Sequence, residues 1–309
     1  MFTVAMLLSA NLNHRPEPLL PHDATQALQQ ALQELNEFRL RPCLPSRAET
    51  SLDVARELHL RREEAAFLER ERMSVAAGAA AAPTHPDAFV AWFEELKRIG
   101  PGQNDPLFPW LAEHASLEQI RWFLGQEVAG EAGFEDLLAL TQVKMPPMVK
   151  LEMARNFWDE MGQGHQMAMH GPLLEKLARA LDVKLPASQV VWEALALSNL
   201  MAAFACNRRF AFHSVGALGV IELTAPGRAA LVNAGLKRLQ VEPVARKYFA
   251  LHATLDVQHS LSWNREVLRP LVAGDPHVAR ALAEGALMRL RAGERCFARY
   301  KRQFGLLDS

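Results

Sequence analysis

The sequence predicts an all-α protein. Nearly every long segment repeats apolar residues at spacings of three and four, as a helix with one buried face requires. Alternating strand patterns and the Asn-Gly or Asp-Gly turns of hairpins are missing. The prolines fall at or near the ends of the periodic segments, where a lost N–H is tolerated. Half of the 309 residues are hydrophobic and 22% are charged, a profile that supports a large core and excludes a disordered or collagen-like chain.

Taken in order, Asp23 is a candidate N-cap for a helix over residues 24–40. A second helix with heavily charged faces follows over 51–73. The stretch SVAAGAAAAPTHP, residues 74–86, reads as a linker or a frayed helix end, and divides an N-terminal helical extension (1–73) from the main body (87–309). In the body, helices are expected over 87–98, 116–141, 147–160, 165–181, 188–224, 227–239, 242–269 and 276–303. Pro146, Pro147, Pro186, Pro226, Pro243 and Pro276 punctuate them. No internal repeat is visible.

Composition also narrows the partners. With 34 basic and 35 acidic residues the net charge is −1, so no global field draws the chain to nucleic acid or to an anionic membrane. No run of eighteen apolar residues lacks a charge, and no membrane span is expected. Cys43, Cys206 and Cys296 lie far apart without C-x-x-C spacing, which suggests neither a disulfide framework nor a thiolate zinc site. Residues 1–18 make a poor secretory signal, having no basic start and no clear cleavage site. The expected compartment is the cytoplasm.

Polar residues on apolar faces are the informative departures. In HATLDVQHS, turning each residue by about 100° from His252 places Asp256 at about 40° and His259 at about −20°, on the stripe that carries Ala245, Phe249 and Trp263. A charged aspartate on such a face costs several kcal/mol unless it is paired or binds a metal. A hydrogen-bonded Asp–His pair explains one of each; two histidines with an aspartate favour a ligand cluster. In SLEQIRWFLGQEVAGEAGFEDLLAL, Ser116 and Gln119 make a capping-box start. Glu127 then falls within the face of Ile120, Phe123, Leu124, Phe134 and Leu138, with Glu131 one turn on. The plain alternative is a ragged amphipathic stripe. Glu222 follows Ala211, Val215, Leu218 and Gly219 on one face, just before a Thr-Ala-Pro-Gly stop, where it would oppose the helix dipole.

Glu160 and His170 are ten residues apart, about 80° on an unbroken helix. Gly162 and Gly164 favour one helix ending near Glu160 and a new one carrying His170, so that the two side chains converge. His165 reads as a turn or solvent-facing residue.

This set of residues resembles the heme-oxygenase-like diiron oxidases and oxygenases, the iron-containing redox enzymes, over roughly residues 87–269. The specific parts are H-x3-D-x2-H (His252, Asp256, His259) and D-E-x-G-x-G-x5-H (Asp159 through His170). The family takes a further glutamate from an earlier helix, matched here by Glu127 with Glu131 as substitute, and one about thirty residues before the H-x3-D-x2-H motif, matched by Glu222. The resemblance implies a heme-oxygenase-like helical bundle that holds two iron ions and activates O2. Glu127, Glu160, His170, Glu222, His252, Asp256 and His259 would be the ligands. His170 and His259 are assigned to one iron, His252 and Asp256 to the other, and the glutamates bridge or chelate. Such members desaturate, cleave or N-oxygenate small amino-acid-like or fatty-acid-like substrates, so an external electron donor is implied as well. Carboxylate and imidazole donors without thiolate agree with iron or manganese.

Arg208 lies about 40° from Glu222 on the expected helix and is the candidate clamp for a substrate carboxylate, with ion pairing as its alternative use. Three rival functions remain. A ferritin-like centre wants Glu-x-x-His twice, and no histidine here follows a glutamate at that spacing. A haem-binding relative leaves most of the ligand-type residues without a use. A helical scaffold with a buried polar network rarely employs four carboxylates. The N-terminal helices suit either a cover for the core or a homodimer interface.

Overall fold

A computed structural model describes residues 22–42, 44, 51–131 and 133–306, and every regular element among them is helical. In chain order the helices are α1 (His22–Leu40), α2 (Ser51–Ala80), α3 (Pro86–Ile99), α4 (Leu107–Glu113), α5 (Leu117–Gly130), α6 (Phe134–Thr141) and α7 (Pro147–Glu160). They continue with α8 (His170–Ala180), α9 (Trp192–Cys206), α10 (Ala211–Arg238), α11 (Lys247–His252), α12 (Leu255–Trp263), α13 (Arg269–Gly274) and α14 (Val278–Gln303). A π-turn, Asn264–Leu268, joins α12 to α13. Cys43, the side chain of Asp23 and the leader reading of residues 1–18 lie outside the described part.

Local chemistry starts several helices as expected. Pro86 and Pro147 open α3 and α7. The Ser116–Gln119 capping box forms in full: the Gln119 N–H donates to the Ser116 hydroxyl at 3.3 Å and the Ser116 N–H to the Gln119 carboxamide at 2.8 Å.

Other boundaries differ from the expected ones. The segment 116–141 is two helices, because the chain turns at Glu131 and Gly133, the latter at φ 71. The segment 242–269 breaks at Ala253 and Thr254, so the H-x3-D-x2-H motif spans the end of one helix and the start of the next. The expected helix 188–224 breaks instead at Asn207, whose side chain caps the following turn. From there α10 runs on through Pro226. Pro226 has no N–H to give the Glu222 carbonyl, but both residues are buried within a helix packed on several sides, and packing overrides the local stop. Glu222 is therefore in mid-helix, away from the C-terminal dipole.

Helix α10 is the axis of the molecule. It packs against α14, α4, α12 and α11, and crosses α14 at backbone contact. A Cβ on Gly216 would stand 2.0 Å from the Leu282 carbonyl oxygen, and one on Gly285 2.0 Å from that of His213. This helix is also the one described element long and apolar enough to cross a membrane, although two-thirds of its apolar window is buried inside the protein.

Residues 74–80 are not a linker. They complete α2, and Val75 and Ala79 are buried with Phe67 and Leu68 in the same apolar cluster as the body. Helix α2 lies along α14, tied by Arg295 to Glu71 and by Arg72 to Glu284. Helix α1 lies on α9, where Asn36 donates to Asn199 at 2.7 Å. The described part of the extension thus covers the core. A second apolar cluster gathers α4, α5, α8, the C-terminal half of α10, α11 and the end of α14. A cavity of about 160 Å³ lies where the two clusters meet.

Candidate metal centre

Each polar side chain at one end of this cavity is brought there by an identifiable local device. Helix α7 stops after Glu160, and Gly162, Gln163 and Gly164 take left-handed φ values of 59, 52 and 86°. Only glycine suits Gly162, since a Cβ there would meet the Ala168 carbonyl carbon at 2.5 Å. The chain reverses and α8 begins at His170, whose Nδ1 lies 2.9 Å from Glu160 Oε2. The expected convergence of Glu160 and His170 is therefore present, although the helix starts at 170 and not at 165.

The other partners close around this pair. Glu131 caps α5 and accepts the Phe134 N–H at 3.0 Å, and the same oxygen lies 3.1 Å from His170 Nε2. His252 Nε2 is 3.0 Å from His170 Nδ1, while its own Nδ1 donates to the Tyr248 carbonyl at 2.7 Å. That bond fixes the tautomer and leaves the lone pair of Nε2 turned into the cluster. His259 Nε2 donates to Asp159 at 3.2 Å. Its Nδ1 faces Glu222 at 3.4 Å, Glu160 at 3.8 Å and Asp256 at 3.9 Å. Asn156 donates to Glu222 at 2.8 Å and holds that carboxylate in place.

Two donor groups result, Glu160 with His170 and His252, and Glu160 with Asp256 and His259; the atoms of each lie within 4.8 Å of one another. Glu160 belongs to both groups, which place His170 beside His252 and His259 beside Asp256, where the expected division set His170 with His259 and His252 with Asp256. Of the two candidate glutamates Glu127 and Glu131, the second stands beside the histidines. Glu127 lines the cavity one turn from Glu131, with Arg289 and Arg228 as its cationic neighbours. Arg208 is removed from the cavity altogether. Its guanidinium donates to the Leu140, Thr141 and Val143 carbonyls and caps the C-terminus of α6.

The electrostatics of the cluster call for cations. Glu160, Glu222, Asp256 and His170 are buried, and Glu131 brings a fourth carboxylate. Burial, with the Glu222 and Glu160 charges, pushes Asp256 up to about 9. Burial works against a charged His259, yet the carboxylates of Glu222, Glu160 and Asp256 outweigh it and raise this imidazole to about 10. Protons are thus recruited to balance buried negative charge. His259 Nδ1 has no hydrogen-bond partner although it is buried, and an unpaired buried nitrogen facing three carboxylates is what a ligand position offers. Oxygen and imidazole donors with no thiolate fit iron.

Residues 121–294, more than half of the chain, match the family of iron-containing redox enzymes. The chain belongs to the iron-containing redox enzyme family. Its members are iron-dependent oxidoreductases, and the matched segment contains every residue of the two donor groups. No curated protein matches the chain. For an iron-containing redox enzyme the cavity supplies both a donor cluster and adjoining apolar space, bounded by Phe123, Phe134, Leu137, Met201 and Phe249.

Sequence patterns missed the supporting residues Asn156 and Tyr248 and the cavity arginines Arg228 and Arg289. Asp159 was in view as part of a motif, but its hold on His259 spans two helices and leaves no local pattern. Arg228 carried a faint signal, being a cation in the middle of the apolar helix that also carries Glu222, well before the Lys237 and Arg238 of its last turn.

Proposed function

We propose that the protein is a non-haem diiron oxidase or oxygenase that uses O2 to oxidise a small organic substrate. The observation that carries this reading is the sharing of Glu160 between two donor groups, each with two buried members and one half-buried histidine. One carboxylate with an oxygen for each group is the arrangement that bridges two metals about 3.5–4 Å apart. Four carboxylates at the cluster also match the charge of two ferrous ions while the imidazoles stay neutral. Glu131, Glu160, His170 and His252 would hold one ion, and Glu160, Glu222, Asp256 and His259 the other.

When bound, the pair would supply electrons and open positions for O2. The chain's own residues do the rest. Asp159 and the Tyr248 carbonyl keep His259 and His252 in one tautomer. The Tyr248 hydroxyl, 3.2 Å from His170 Nε2, is a neutral hydroxyl beside the cluster that can give a proton. The aromatic and aliphatic wall keeps bulk water from the reacting centre. Repeated turnover would draw electrons from an external donor.

The experiment is ferrous loading without air, followed by O2 exposure with uptake recorded. Asp256→Ala and His259→Ala should each abolish iron-dependent uptake and leave the helical circular dichroism of the wild type. Wild-type uptake in both variants removes these residues from the site and with them the reading.

A further inference from the structure

The end of the cavity away from the histidines has the opposite electrostatic character. Arg228 follows Glu222 on α10 by six residues, a rise of about 9 Å along the helix, and Arg289 enters from α14; both line the cavity. Arg228 is held in a fixed pose. It donates to the Thr224 hydroxyl at 3.0 Å, and its guanidinium carbon lies 5.8 and 5.6 Å from the ring centroids of Phe108 and Phe297. Arg289 makes no hydrogen bond among the described residues, and its Nε is buried without a partner. Gly293, one turn on, leaves its guanidinium room: a Cβ there would come within 3.1 Å of Nη1.

Glu127 is the carboxylate that both cations feel, and Arg289 also feels Glu131, the acid that His170 engages. Burial raises Glu127 to about 6 in spite of both guanidiniums, and burial lowers Arg228 to about 10. A buried guanidinium that makes no direct hydrogen bond costs free energy, and an acid group placed against it would offset that cost. A guanidinium recognises a carboxylate through paired parallel hydrogen bonds. The walls between the two ends are aromatic and aliphatic. The volume of about 160 Å³ is close to that of apolar cavities, about 150 Å³, that hold one benzene ring.

We propose that Arg228 and Arg289 form a carboxylate subsite that holds the acid group of a small apolar or aromatic substrate and directs its body toward the cluster of acids and imidazoles. This rests on reading the cavity as the substrate space of the iron site, and it narrows the substrate to a compact carboxylic acid.

The test is calorimetric titration of the full-length chain, both metal-free and loaded with ferrous iron without air. The probes are phenylacetate and hexanoate, each compared with its neutral primary amide. At least one acid should bind about tenfold or more tightly than its amide in both forms. Arg289→Met should remove that preference while iron content stays at the wild-type value, and Arg289→Lys should restore part of it. Equal binding of acid and amide overturns the proposal, as does the absence of acid binding below about 1 mM or a full preference in Arg289→Met. Should Arg289→Met fail to fold, the wild-type ratio and Arg289→Lys decide. A wild type that prefers acids yet takes up no iron overturns the diiron reading and leaves the subsite standing. Iron uptake without acid preference does the reverse.

Discussion

His259 shows how a single side chain comes to offer a free ring nitrogen to converging carboxylates. Asp159 takes one ring nitrogen, burial keeps water from the other, and three carboxylates converge on the nitrogen left over. The identities of such residues were legible in the sequence because an aspartate or glutamate on an apolar face needs a reason to be there. Their partners were not. Which of Glu127 and Glu131 stands beside His170 depends on a turn at Gly133 that a helical wheel ignores. Arg208 makes the opposite point. A cation near Glu222 on a wheel is, in space, bonded to the last carbonyls of α6. Arg208→Ala should therefore destabilise the protein by about 1 kcal/mol, as the loss of a helix cap does, and leave iron content unchanged. Denaturant unfolding and metal analysis on the same preparation check both; a loss of iron with unaltered stability would return Arg208 to the site.

At the scale of elements, the sequence announced helices well and their interruptions poorly. The apolar periodicity marks α3, α7 and α14 to within a few residues, since their cores are one-sided and their ends carry proline or polar stops. Breaks at Asn207 and Ala253–Thr254 have no proline or glycine to announce them, while Pro226, which should stop a helix, does not. Long-range packing decides each case. The interruptions also serve the site: the break before α12 lets His252 and Asp256 approach different donor groups although four residues separate them. The crossing of α10 and α14 sets the distance between Glu222 and Arg228 on one helix and Arg289 on the other. Gly285→Ala would force a methyl against the His213 carbonyl and should cost about 1–3 kcal/mol or more as an overpacked contact. A thermal melt measures the cost, and the variant should also lose iron. Wild-type stability would show that the two helices do not meet at backbone distance.

For the whole molecule, the N-terminal helices are part of the fold that encloses the site. Leu32, Phe67, Leu68, Val75 and Ala79 are buried in the cluster that also contains Leu218, Trp263 and Leu287. A chain beginning at residue 84 would expose that surface, and it should bind a hydrophobic dye and lose its cooperative melt. An unchanged melting temperature would make the extension dispensable. The alanine-rich run concealed this role, because alanine packs closely between helices and yet its composition reads as a spacer.

We propose that two iron ions occupy this pocket and share Glu160. This is tested most directly by loading the full-length chain with 57Fe(II) without air, exposing it to O2, and recording iron content with Mössbauer and electron paramagnetic resonance spectra. Expected are about two irons per chain, one for each donor group, and a coupled ferric pair without a resonance signal. One iron per chain with the signal of an isolated ferric ion, or no bound iron, would contradict the proposal.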